Sequence, residues 1–202
     1  MQSLIQIEVA DRRLLESIGE IMAEAARRSG TWLACRPGCT PCCMGPFGIT
    51  ELDAIRLRAG LAALGAAEPT RAAAVRQRAA AYVAAIAPLF PGDPASGALR
   101  DEEALPSSME DVACPALDPD TGLCDLYDSR PITCRTFGPA TRIGENTLGA
   151  CELCYEGATD EQMAACSVET DPQGLEAEAL AVLGPHPITI VAYTLVSPVV
   201  KK

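Results

Sequence analysis

Cys35-Arg36-Pro37-Gly38-Cys39-Thr40-Pro41-Cys42-Cys43 decides how this chain is to be read. Four thiols fall within nine residues, and two prolines and a glycine hold the backbone on a tight, non-helical path that lets them converge. A second segment carries Cys114, Cys124, Cys134, Cys151 and Cys154. Thiolate sulfur is the soft ligand of zinc, of iron–sulfur clusters and of copper(I). His186 is the only histidine, so mixed cysteine–histidine zinc sites are nearly excluded. The expectation is an all-thiolate site, or one completed by a carboxylate or water, with ligands drawn from both segments.

Within these segments the spacing is informative. Neighbouring side chains on an extended backbone point to opposite sides, so Cys42 and Cys43 do not easily bind one ion. Either each faces a different site, or one binds and the other packs, or the two form a vicinal disulfide. One site and two sites both remain open at this point. Cys114 and Cys124 flank the turn Asp118-Pro119-Asp120-Thr121-Gly122, which lets them meet at the base of a loop. Pro131 is placed to open a short helix holding Cys134. Cys151-Glu152-Leu153-Cys154 is a CxxC knuckle, a common half of a tetrathiolate site. Arg130 and Arg135 flank Cys134, where guanidinium groups would stabilise an anionic thiolate centre and bind its cofactor from outside. The alternative pairs them with Asp125 or Asp128. Tyr127 and Phe137 are expected to shield the site by packing, and Cys166 is either a ligand or a small buried hydrophobe.

Composition bounds the class. The chain has 202 residues, which suits a single domain over 1–202. Hydrophobic residues make up 49% but aromatics only 4%, so core volume per residue is low and metal crosslinks would help the fold hold. A net charge of −11 argues against nucleic-acid and anionic-membrane partners. The start, MQSLIQIEVADRR, has no basic leader before an apolar core, so no signal peptide is expected, and the apolar tail near 188–199 is too short to span a bilayer. A cytoplasmic location follows as an expectation. Ten cysteines in a reducing compartment favour metal or redox chemistry over a disulfide framework.

The expected fold is mainly α: a small helical domain with an irregular, cysteine-rich half tied by metal. Ile5, Ile7 and Val9 alternate as in a short strand, and a helix over 11–28 follows, with Asp11 as its N-cap and Gly30 as its stop. Thr50-Glu51-Leu52-Asp53 reads as a capping box opening a helix over 50–64. Further helices are expected over 69–87 and from about 172 to 183. Residues 88–113, rich in proline, glycine and acids, read as an exposed loop. The tail ITIVAYTLV is ambiguous between strand and helix.

Cys35-x3-Cys39-x2-Cys42 matches the spacing of radical-SAM enzymes, but the repeated βα units of those enzymes have no counterpart here. A closer likeness lies in the order CxxxCxxCC over Cys35–Cys43, then Cys114-Pro115-Ala116-Leu117 with Gly122-Leu123-Cys124, then Tyr127 and Arg130-Pro131-Ile132-Thr133-Cys134-Arg135-Thr136-Phe137. This pattern, spread across residues 35–154, resembles the bacterial YkgJ-like cysteine-cluster family. The resemblance implies chelation of zinc or iron by clustered cysteines, and supplies no substrate. The leading expectation is therefore a metal-binding protein holding iron as an iron–sulfur cluster, or zinc, in electron transfer or in redox or metal sensing. A structural zinc module that contacts a protein partner is the alternative. An enzyme is disfavoured, because phosphate loop, histidine acid–base pair and nucleotide fingerprint are all missing from the sequence.

Overall fold

The computed structural model describes residues 2–196 and is mainly α-helical, as expected. The helices are α1 (Gln2–Ser29), α2 (Glu51–Ala67), α3 (Pro69–Ile86), α4 (Ile132–Thr136), α5 (Asp160–Cys166), α6 (Leu175–Leu183) and α7 (Val191–Val196). Short strands intervene: β1 (Gly48–Ile49), β2 (Gly92–Asp93), β3 (Ala98–Leu99), β4 (Thr141–Ile143), β5 (Asn146–Gly149), β6 (Val168–Glu169) and β7 (Thr189–Ile190). Two units divide the described chain. Unit 1 holds the stretch up to Cys42 together with Ile132–Pro185; unit 2 holds Cys43–Pro131 and the stretch from His186 onward.

Unit 1 is organised on α1. Ile7, Leu14, Ile18 and Ala25 are buried at spacings of seven, four and seven, one continuous helical stripe. The strand expected over 4–9 is therefore the first turns of this helix, and Asp11 lies inside it rather than capping it. Ile7 belongs to the stripe while Ile5 and Val9 are exposed, so the apparent alternation was one buried position with two solvated neighbours. The helix ends at Ser29, before Gly30 in the left-handed region (φ 51°). Helix α6 packs on α1 through Leu175 and Ala179, and the Asp171 carboxylate accepts from the backbone N–H groups of Leu175 and Glu176. Strands β4 and β5 form a hairpin through Gly144, and β6 joins β4 in parallel. The hairpin was not anticipated, and neither was α5, which opens with a capping box between Thr159 and Gln162.

Unit 2 is built on α2 and α3. The expected capping box is present: Thr50 Oγ1 accepts from Asp53 N, and Asp53 Oδ2 accepts from Thr50 N, each at 3.3 Å. Leu57, Leu61, Val75 and Ala79 meet Val191 and Leu195 of α7 in one core, so the ambiguous tail is a two-residue strand followed by a buried helix. Residues 88–113 carry the β2–β3 pair and bury Phe90, Leu99 and Met109 in a second cluster with Tyr82 and Ile86. Gly60 on α2 makes room for the 127–129 turn, since a Cβ there would lie 2.2 Å from Ser129 Oγ. No helix among the described residues is long and apolar enough to cross a membrane.

Candidate metal centre

In unit 1, the backbone leaves α1 through a 3-10 turn, Gly30–Trp32, and reaches Cys35 extended. A tight turn follows, closed by Cys39 N donating to Arg36 O (2.9 Å), with Gly38 at φ 84°. Cys35 and Cys39 stand at its two ends. The CxxC knuckle lies beside them. Cys154 N donates to Cys151 O (2.8 Å), Cys151 N to Gly138 O (3.0 Å), and Tyr155 N to Trp32 O (2.9 Å).

These backbone bonds bring four thiols from both cysteine-rich segments together. The Cys35 and Cys154 thiols hydrogen-bond one another, and Cys39 and Cys151 lie close enough to act on Cys35 electrostatically. Burial first, and then the neighbouring thiols, push Cys35 up to about 12. Cys35 is exposed as a residue, yet its sulfur is turned inward, 2.7 Å from where a Cβ on Gly138 would stand. Cys151 is raised for the same reasons, burial leading. Crowded, partly desolvated thiols that oppose one another's ionisation are the donor set a cation satisfies, because its charge reverses each of those effects. Among the described residues, no three cysteine, histidine or carboxylate side chains are gathered tightly enough to hold an ion as they stand. The four are neighbours in unit 1 rather than a closed ligand set.

Two residues that sequence reasoning passed over hold this arrangement. Gly138, at φ 121°, lets Cys35 approach and accepts from Cys151 through its carbonyl. It was read only as part of a Gly-Pro turn. Tyr155 is buried and sits at φ 61°, in the left-handed region unusual for a bulky residue. Its hydroxyl lies 2.6 Å from Ser29 Oγ and accepts from Ala140 N (3.0 Å), so one side chain joins the end of α1, the Gly138 segment and the CxxC knuckle. Behind it, Ala140, Cys151, Cys154 and Cys166 form a small apolar cluster against Trp32 and Met163. Cys166 Sγ donates to Arg28 O (3.4 Å), the behaviour of a packed thiol.

The other cysteines are distributed between the units. Cys42, in the 3-10 turn Pro41–Cys43, and Cys134, on α4, lie half-buried in unit 1. Cys43, Cys114 and Cys124 belong to unit 2. There Cys114 N donates to Cys43 O (2.7 Å), and the Leu117–Cys124 bridge closes the Asp118–Gly122 turn. Burial pushes Cys114 up to about 11; Cys124 adds to this, and Arg78 opposes it. Cys124 is raised by burial and by Asp125, and lowered by Arg130 and Arg71.

Arg135 is on α4 in unit 1; Arg130 is in unit 2, its guanidinium 3.7 Å from the centre of the Tyr127 ring. The Asp125 carboxylate is taken by Arg71 and Arg78. Tyr127 and Phe137, expected to be packing residues, are 60% and 49% exposed. Tyr127 instead supplies a surface ring face to Arg130.

A family model named for the CxxCxxCC pattern and described as "Putative zinc- or iron-chelating domain" matches residues 34–167. Neither the curated proteins nor the solved structures yield a match.

Proposed function

Because the chain belongs to the CxxCxxCC family of zinc- or iron-chelating domains, we propose that it binds zinc or iron through a primary site made by Cys35, Cys39, Cys151 and Cys154. The observation that carries this is the mutual approach of these four thiols from segments far apart in sequence. Four thiolates meet the requirement of a closed zinc site and equally that of an iron–sulfur cluster. Held as a cluster, the metal makes the protein an electron carrier or a redox or metal sensor. Arg135, next to Cys134 in the same unit, supplies positive charge to the anionic centre in this reading.

A second reading, a zinc-ordered module that docks a protein partner, draws on Phe137 and Leu153, large apolar side chains left 49% and 46% exposed in unit 1. Anaerobic purification separates the two. Brown protein containing iron and sulfide is expected for the cluster, and colourless protein with tight zinc for the module. The site assignment is tested by Cys35→Ser with Cys154→Ser, expected to abolish binding of the unit 1 metal. Unchanged metal content and affinity in that double variant sinks it.

A further inference from the structure

We propose that unit 1 carries a redox switch: in the metal-free chain, hydrogen peroxide joins Cys35 and Cys154 in a disulfide, and that bond bars the site to metal until a dithiol reduces it. The disulfide follows from contacts of this chain alone; its effect on metal rests on the thiolate-chelation reading.

A disulfide asks for two sulfurs within reach, where a thiolate metal site asks for three or four. Among the described residues no three candidate ligands are gathered tightly enough for an ion. One pair of thiols is nevertheless in contact, since Cys35 and Cys154 hydrogen-bond one another. Backbone geometry supports the pairing independently. Tyr155 N donates to Trp32 O (2.9 Å), which lays the residue after Cys154 against the turn that leads to Cys35. Cys151 N donates to Gly138 O (3.0 Å), and Cys35 Sγ stands 2.7 Å from where a Cβ on Gly138 would be. The Cys35 sulfur is thus packed against the segment on which the knuckle hangs.

The other thiols of unit 1 are placed differently. Cys39 acts on Cys35 only electrostatically. Cys151 also hydrogen-bonds Cys154, but both are buried, whereas Cys35 is an exposed residue and the one a solute reaches first. Cys166 Sγ is engaged by Arg28 O.

The chemistry balances in two steps. The Cys35 sulfur attacks one peroxide oxygen, the O–O bond breaks, and the other oxygen leaves as water with the thiol proton. Cys35 is then a sulfenic acid. The Cys154 sulfur attacks it, the S–O bond breaks, and a second water leaves with the Cys154 proton as the S–S bond forms. The two thiols give up two electrons and the peroxide accepts them. Burial and the neighbouring thiols oppose ionisation of Cys35, so oxidation is slower than at an ordinary thiol. A dithiol reverses the bond by exchange, itself becoming a disulfide.

The experiment treats the metal-stripped, reduced full chain with hydrogen peroxide under native conditions. Remaining thiols are blocked with N-ethylmaleimide, and the digest is mapped by mass spectrometry. A peptide pair joining Cys35 to Cys154 is expected, and dithiothreitol should remove it. Cys35→Ser, with its helical content checked by circular dichroism, should give no such pair. A bond found only between Cys151 and Cys154, or no bond at Cys35, overturns the disulfide. Zinc, and ferrous iron under anaerobic conditions, are then titrated against the oxidised and the re-reduced chain. The oxidised chain is expected to bind about tenfold or more weakly. Equal affinity overturns the switch while the disulfide stands. A reduced chain that forms the Cys35–Cys154 bond but takes up neither metal overturns the chelation reading and the switch with it, and again leaves the disulfide standing.

Discussion

At the scale of single residues, the proposed unit 1 site depends on residues outside its four thiols. Gly138 combines a left-handed backbone with the close passage of Cys35 Sγ. Any Cβ there meets the sulfur and is strained besides. Gly138→Ala should cost about 1–3 kcal/mol of stability. It should also weaken zinc by about tenfold, since the Cys35 thiol must rotate away from its three partners. Thermal melting and competition against a chromophoric chelator read the two effects. Unchanged zinc affinity would show that Cys35 reaches the metal without this approach. Tyr155 bears a similar burden. Its strained backbone is held by bonds to Ser29 and Trp32, at the end of α1 and in the turn that follows it, and to Ala140 on a distant stretch of unit 1.

At the scale of elements, much was legible where a local rule decides the outcome. Thr50 and Asp53 announced α2, Gly30 the end of α1, and Pro131 the helix that holds Cys134. The reading failed where two periods fit the same residues, as at Ile5, Ile7 and Val9, because short alternation cannot be told from one edge of a longer helical stripe. Helix α5 was within reach, since Thr159 and Gln162 have capping-box spacing. For the site, the CxxC knuckle and the meeting of Cys114 with Cys124 could be read from spacing. The roles of Gly138 and Tyr155 could not, because they depend on contacts between distant segments. The same holds for Asp125. Its side chain is 1% exposed, and Arg71 and Arg78 both donate to it, tying α3 to the segment that follows Cys124. Asp125→Asn removes the charge that these guanidiniums neutralise and should destabilise unit 2 by about 2 kcal/mol. Urea denaturation checks this, and an unchanged midpoint would show that the arginines are satisfied by solvent.

At the scale of the whole molecule, the helical cores and the cysteine sites are stabilised by different means. The α2–α3–α7 core buries Leu57, Leu61, Val75 and Leu195 without recourse to metal. The stretch Cys151–Tyr155 has few apolar contacts beyond its small cluster and relies on a few backbone hydrogen bonds, the Tyr155 hydroxyl and its thiols. Chelator should therefore abolish amide protection at Cys151, Cys154 and Tyr155 while leaving α2 and α3 protected, as read by hydrogen exchange. Equal protection with and without metal would mean that the thiols contribute no order to this region. Neither unit is a contiguous run of sequence, and this has a consequence for synthesis. Cys35 and Cys39 leave the ribosome more than a hundred residues ahead of Cys151 and Cys154. At about 5–20 residues per second, that is a delay of roughly ten seconds. For that interval the nascent chain carries early thiols whose partners have not been made, open to oxidants and to adventitious ions. The proposed unit 1 centre can be filled only after translation has passed residue 154, when the cell's metal supply and reducing power decide what enters it.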